Sequence, residues 1–515
     1  MRIAFMAALG ALFVGHMAMG QTSGESSGAG GVAPKKPVEA TQPGASHTAP
    51  ALQTLGSRWQ GIMKELHVPG MAVAAVRGDK VVLLEGFGTR DPRTKAPVTP
   101  DTIFFLADST RPFVAMEVLK LAEEGLVDLD TPVKSYLPRF MLAAPELAAA
   151  VTVRDLLCLR WDINSFVINI AASFTGEMDD DLFYDQLSRV RARERFTRTN
   201  VPYITLGRMI DAAAGMSWKD YLNKRILAPA GMDNTFCSAS RMYASSNVAM
   251  PVEEVDGEWH VSTTLKTDRT MHAGGGIGSS ASDLVKWLRL NLNGGRIDGR
   301  RILPENSVKE MQTQQVAAPR RIFEFEGKAY GLGWYLGSYK GNRLVYHIGM
   351  FPGYRSHISF MPERGVGVAV LVNSSEIVMH FADFVACDVY DRLFNLQGED
   401  LHERLREKAY EESDRRVSRS PSGPNPAKGG LTLDPRAYVG KYVSKTWGTL
   451  DMTYDGDLLT AKIGDLVVPM FSTGPDWFTA VVGARTLSGR FEMTDDKRVT
   501  AVILERGPVE MNFKR

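Results

Sequence analysis

The chain has 515 residues, 44% of them hydrophobic, with 60 Lys+Arg against 59 Asp+Glu and a formal net charge of +1. That balance excludes a broadly basic nucleic-acid binder and a polyacidic tail protein, and the length implies two or three domains with ample chain for a large core. Three cysteines, Cys158, Cys237 and Cys387, are too few for a disulfide scaffold and too far apart for a metal cluster. At most one bridge can form, and the spacing does not say whether Cys158 and Cys237 make it.

Residues 1–20 read as an export signal. Arg2 gives a short positive start, Ile3 to Val14 an apolar run, and Ala18-Met19-Gly20 the small residues a signal peptidase inspects before Gln21. The run is too short to span a bilayer comfortably, which weighs against a retained anchor, and no later segment offers the roughly 20 apolar residues of a spanning helix. The expectation is an exported protein, periplasmic or extracellular, with no membrane span after signal removal. Residues 21–50, rich in Gly, Ser, Pro, Ala and Thr, read as a disordered leader because they have little to bury.

A body follows over residues 51–417. Val73 to Val76 and Val81 to Leu84 read as a β-hairpin around Arg77-Gly78-Asp79-Lys80. Pro112 to Gly125 carries apolar residues at helical spacing, and Tyr203 to Gly215 and Trp218 to Leu227 give two further helical stretches. Ser282 to Asn293 is another, with Ser282 or Asp283 as its cap. Leu344 to Ile348, Ser356 to Met361 and Gly367 to Val372 read as strands. Helices between terminal strands point to an α+β domain whose end strands share one antiparallel sheet. A charged helical run, Leu401 to Arg416, leads to a Ser/Pro/Gly linker at 418–432. The tail, 433–515, alternates short β-like runs (Gly448 to Tyr454, Leu458 to Ile463, Trp477 to Val481, Val499 to Glu505) and reads as a small all-β barrel or sandwich.

Several blocks of the body resemble one family. His67-Val68-Pro69-Gly70-Met71-Ala72-Val73, Gly86-Phe87-Gly88 and Pro100-Asp101-Thr102-Ile103-Phe104 are similar to the opening of the serine β-lactamase-like proteins, the class C β-lactamases, DD-peptidases and related esterases. The run Leu119 to Leu137, Pro229 to Thr235, Gly274-Gly275-Gly276-Ile277 and Tyr330-Gly331-Leu332-Gly333-Trp334 continue the match in order. The resemblance covers about residues 52–395 and implies an antiparallel sheet flanked by helices plus an all-helical region. The tail resembles the lipocalin-like appendage of some members.

Fold does not carry function, and the motifs that carry the family's chemistry are altered here. Its Ser-x-x-Lys box aligns with Asp108-Ser109-Thr110-Arg111, which seats Asp108 for the nucleophile and Arg111 for the lysine. Its Tyr-x-Asn aligns with Arg198-Thr199-Asn200, leaving only Asn200, and the Leu-Leu-x-His-x-Ser-Gly block reads Leu156-Leu157-Cys158-Leu159-Arg160-Trp161-Asp162. The third motif survives as Tyr346-His347-Ile348-Gly349. By resemblance, the backbone N–H groups of Asp108 and Met350 would form the oxyanion hole. The former-site positions are therefore Asp108, Arg111, Arg198, Asn200 and His347, with Gly349 and Met350 as further ligand-binding positions.

Chemically, arginine stays protonated at any working pH, so Arg111 and Arg198 cannot act as bases. A carboxylate attacking an ester or amide gives a mixed anhydride, uphill of the substrate. A slip to Ser109 places Pro112 where a base should stand, and turns the side chain about 100° around the helix. Four readings stay open: a structural Asp108–Arg111 ion pair; a cationic cleft that binds an anionic ligand such as a peptide carboxylate or peptidoglycan-like fragment; an acid in glycoside hydrolysis with Asp162 as second carboxyl; and a serine hydrolase acting through Ser109. No cofactor, metal or nucleic acid is expected: His67, His272, His347 and His357 lie in separate blocks without ligand spacing. Gly274 to Gly278 is expected to serve tight packing, Cys158 to be buried, and Trp287, Trp334 and Phe360 to be core or cleft-wall aromatics. Oligomeric state is not legible.

Overall fold

Long runs without alternation, such as Val366–Val372 and Gly70–Arg77, fit strands covered on both faces. The computed structural model, which describes residues 47–255, 258–374, 379–419, 430–482, 485–506 and 509–515, builds them so. The expected signal segment and most of the leader and linker lie outside these residues. Gly70–Arg77 (β1) and Lys80–Asp91 (β2) form the expected hairpin. Val316–Ile322 (β3), Phe325–Tyr330 (β4), Tyr335–Tyr339 (β5), Asn342–Phe351 (β6), Tyr354–Met361 (β7) and Val366–Val372 (β8) follow as a meander. The order β2-β1-β8-β7-β6-β5-β4-β3 is antiparallel throughout, so strands from both ends of the body meet at the β1–β8 pair, where Val73 faces Val370.

Residues of β7 alternate between two faces, as the period of a strand requires. Arg355, His357 and Ser359 meet Asp383 and Tyr390 on helix Phe381–Phe394. Ser356 and Phe360 face the other way. Ser356 Oγ reaches the Leu106 carbonyl at 2.7 Å, and Phe360 packs edge-on against Trp334. Trp334 neighbours Trp287 on helix Ala281–Leu292, which stacks at 3.7 Å on Phe113 of helix Arg111–Glu123. All four aromatics are fully buried, as core residues. Helix Arg111–Glu123 has Pro112 in its first turn, where the missing N–H costs nothing.

Three sequence readings need correction. The cap of Ala281–Leu292 is Ser280, whose side chain accepts from the Asp283 N–H; Asp283 sits inside the first turn. The helix at Trp218 ends at Leu222 and continues as a wider turn, Asn223–Leu227. The charged helix runs from Leu401 to Arg419, beyond Arg416. All three cysteines are buried free thiols, so Cys158 and Cys237 form no bridge.

The tail is a closed barrel of eight antiparallel strands, from Gly440–Ser444 to Val509–Lys514, and the Val443–Lys514 pair joins the last strand to the first. Its core includes Tyr442, Leu450, Phe478, Phe491 and Phe513. The mouth is packed by Phe166, Ile170 and Phe174 from helix Phe166–Ile170 and the wide turn Ala171–Thr175. At the rim, Asp465 accepts from Arg269 at 2.8 Å, and its backbone N–H donates to the Thr175 carbonyl at 2.8 Å. No helix among the described residues is long and apolar enough to cross a membrane.

Candidate functional site

The turn Ala107–Thr110 leads straight into helix Arg111–Glu123. Ala107 holds φ +50°, a left-handed conformation that a non-glycine residue seldom adopts. Strand β6 can pass close beside this turn because position 349 is glycine: a Cβ there would collide with the Leu106 carbonyl and the Ser356 hydroxyl. Gly349 is thus a packing position rather than a ligand contact through a side chain.

Four of the sequence-selected residues converge. Arg111 Nη2 donates to Asp108 Oδ1 and to Asn200 Oδ1, each at 2.9 Å, and Arg198 Nη1 lies 3.5 Å from Asp108 Oδ2. The side chains of Asp108 and Arg198 are 15% and 31% exposed, whereas that of Arg111 is 1% exposed. Burial works against the Arg111 charge, but Asp108 and the surrounding phenols of Tyr330, Tyr335 and Tyr203 hold its pKa above the ordinary value. Among the described residues, Arg111 Nε and Nη1 have no hydrogen-bond partner. The cluster carries two permanent cations and one carboxylate.

His347 is fully buried. Its Nδ1 lies 3.0 Å from the Ile348 carbonyl, to which it donates, leaving Nε2 as acceptor 3.3 Å from the Tyr330 hydroxyl. Burial, then Arg111 and Arg198, push its pKa well below the usual range, so the imidazole is neutral. Ser109 is also fully buried, and its Oγ accepts from Ser356 Oγ at 2.9 Å; among the described residues no basic side chain bonds to it. Asp162, the candidate second carboxyl, is occupied by Arg195.

A serine–histidine contact also lies nearby: Ser173 Oγ is 2.9 Å from His272 Nε2. It has the wrong tautomer for general-base work. The Gly274 N–H donates to His272 Nδ1 at 3.1 Å, so the ring proton sits on Nε2 and points at the serine. Burial, then Lys266 and Arg111, lower the His272 pKa further and keep the ring neutral. Lys266, itself buried, donates to the Ser173 carbonyl at 3.0 Å beside the Phe351 ring.

Comparison with known proteins fits this architecture. The Beta-lactamase family profile matches residues 57–384. The chain belongs to the Beta-lactamase family. Penicillin-binding protein 4 of Amycolatopsis lactamdurans is 29% identical over 338 residues, 63% of this chain and 86% of that protein. Protein flp of Staphylococcus aureus (strain NCTC 8325 / PS 47) is 26% identical over 318 residues, and the match spans 61% of each chain. The structure of the octameric penicillin-binding protein homologue from Pyrococcus abyssi superposes with a TM-score of 0.59 at 24% identity, covering 90% of this chain and 100% of that one.

Within this β-lactamase-family cleft, sequence reasoning missed the aromatic surround of Arg111. Tyr330 marked only the fold and Tyr203 only the register, yet the Arg111 guanidinium lies 5.6 Å from the Tyr203 ring, and Phe196 packs on Tyr330 at 5.3 Å. The signal available was the density of tyrosine in the blocks that flank the motifs. Met350 lies on β6 opposite Arg355.

Proposed function

We propose that this β-lactamase-family protein binds an anionic ligand in the former catalytic cleft and performs no serine acyl transfer. The observation that carries this reading is a carboxylate at the helix tip bracketed by two arginines, the buried one with Nε and Nη1 unpartnered among the described residues. Loss of the nucleophile alone costs about a million-fold in a well-studied serine protease, and two arginines in place of bases supply no rescue. The excess positive charge favours a ligand carboxylate, since charge-assisted bonds to a guanidinium fork are the strong ones. A curated relative named for binding penicillin, itself a carboxylate-bearing molecule, supports a ligand of that class, such as a cell-wall peptide fragment. Export to the periplasm or exterior belongs to the same proposal.

Thermal shift with a muropeptide bearing free carboxylates, set against its fully amidated counterpart, tests the reading. The free acid raises the midpoint, the amide does not, and Arg198→Ala loses the shift. No shift with the acid, or an equal shift with the amide, overturns it.

A further inference from the structure

Where the barrel mouth meets the body, the packing leaves a cavity of about 600 Å³, its opening to solvent included. Phe166, Ile170 and Phe174 of the body line one side, and Trp447, Leu504 and Phe513 of the barrel line the other. Leu504 and Phe513 are buried, whereas Phe166, Ile170, Phe174 and the barrel residue Leu487 are only half-buried. The lip of the cavity therefore keeps apolar surface in contact with water, which is unfavourable until something covers it. Phe166 meets Trp447 edge-on at 5.9 Å, and Phe174 also stacks on Phe351 of β6 at 5.4 Å. Neither the barrel nor the body makes this cavity alone.

The polar groups at its edge are spent on one another. Among the described residues, Thr175 is the one polar residue of the lining. Its Oγ1 accepts from the Glu177 N–H at 3.2 Å, and its carbonyl accepts from the Asp465 N–H at 2.8 Å. Beyond it, Arg269 donates to Glu177 at 3.0 Å and to Asp465 at 2.8 Å. One cation thus serves two carboxylates and has no charge to spare for an acidic head group. A polar ligand buried here would lose its water without gaining partners, at a cost in free energy. Dry apolar cavities of this kind take apolar molecules.

We propose that the cavity is a binding site for one uncharged, unbranched alkyl chain, the tail of a neutral amphiphile whose polar end stays in water at the lip. The walls come from one helix and one turn of the body and from several barrel strands, an irregular surface that a flexible chain can follow and a flat ring cannot. Inserted, the chain covers the open edges of Phe166, Ile170 and Phe174 and touches both parts of the molecule, so it ties the barrel to the body. The proposal does not rest on the anionic-ligand reading of the cleft, since no lining residue belongs to the Asp108 cluster.

The test is calorimetric titration of the full-length protein with n-butanol, n-hexanol and n-octanol. Each added methylene tightens binding about fourfold, the increment for burying one CH₂ group. n-Octanoate binds no more tightly than n-octanol. Ile170→Trp and, separately, Leu487→Trp fill the cavity from its two walls, and each weakens octanol binding at least tenfold, with circular dichroism verifying the fold of each variant. Leu126→Trp enlarges an exposed apolar side chain outside the lining and leaves the affinity unchanged. Absence of octanol binding, affinity independent of chain length, tighter binding of octanoate, wild-type affinity in a folded cavity-filling variant, or an equal loss in Leu126→Trp overturns the site.

Discussion

Two regions of this molecule divide between them what a serine hydrolase needs. Between β7 and helix Phe381–Phe394, Asp383 Oδ1 lies 2.8 Å from His357 Nδ1, and His357 Nε2 lies 2.8 Å from Ser359 Oγ. These are the distances and order of a catalytic triad, yet all three side chains are fully buried. The cleft at Asp108 is reachable, yet it offers an acid and two permanent cations where an alcohol and bases are needed. Hydrogen-bond geometry without access is scaffolding, whereas the accessible cleft is where we propose that an anionic ligand binds. The buried array joins strand to helix: Asp383 also accepts from Arg355 at 3.0 Å, and Ser359 meets Tyr390 at 2.9 Å. Burial pushes the Asp383 pKa up, but Arg355 and the hydrogen bonds of His357 and His380 hold it far below the usual carboxylate range.

The sharpest way to break this contrast is Asp383→Ala, which strands a buried Arg355. Urea unfolding is expected to show a loss of about 3–5 kcal/mol, while muropeptide binding by the folded fraction is unchanged; a loss below about 1 kcal/mol would deny the array its structural role. Ser359→Ala should cost about 1–3 kcal/mol, because it leaves His357 Nε2 without its partner, again with no effect on binding. Glu117 extends the comparison to a single buried acid. Burial, then Asp211, hold its carboxyl well above its usual 4.5. It stays protonated in the folded chain while the unfolded chain ionises, so its contribution is complete below about pH 4.5 and declines as pH rises. Glu117→Gln is therefore expected to raise the melting midpoint at pH 7 by about 2–4 °C, with the difference vanishing below pH 4.5. The smallest effect belongs to Arg198→Ala: its half-open pair with Asp108 is worth about 0.2–1 kcal/mol of stability, although its loss removes the response to the anionic muropeptide.

The fold was legible because Gly70–Arg77 and Val366–Val372 are apolar along almost their whole length and the family blocks arrive in order. Barrel closure was not, since it depends on one long-range pair, Val443 with Lys514, which joins strands at opposite ends of the tail. The altered chemistry at Asp108, Arg111, Arg198 and Asn200 could be read from register, and the structure brings these four together. The role of Gly349 could not, because the direction of a missing Cβ belongs to tertiary packing. Nor could the buried triad-like array: His357 and Ser359 share one face of β7, but Asp383 reaches them only through the packing of a later helix.

The central claim, that no nucleophile in this cleft can be acylated, is tested most directly by intact-mass measurement after incubation with a penicillin at high excess. An unchanged mass is the result predicted for the wild-type chain. A stoichiometric adduct, above all one that disappears in Ser109→Ala, would contradict the account.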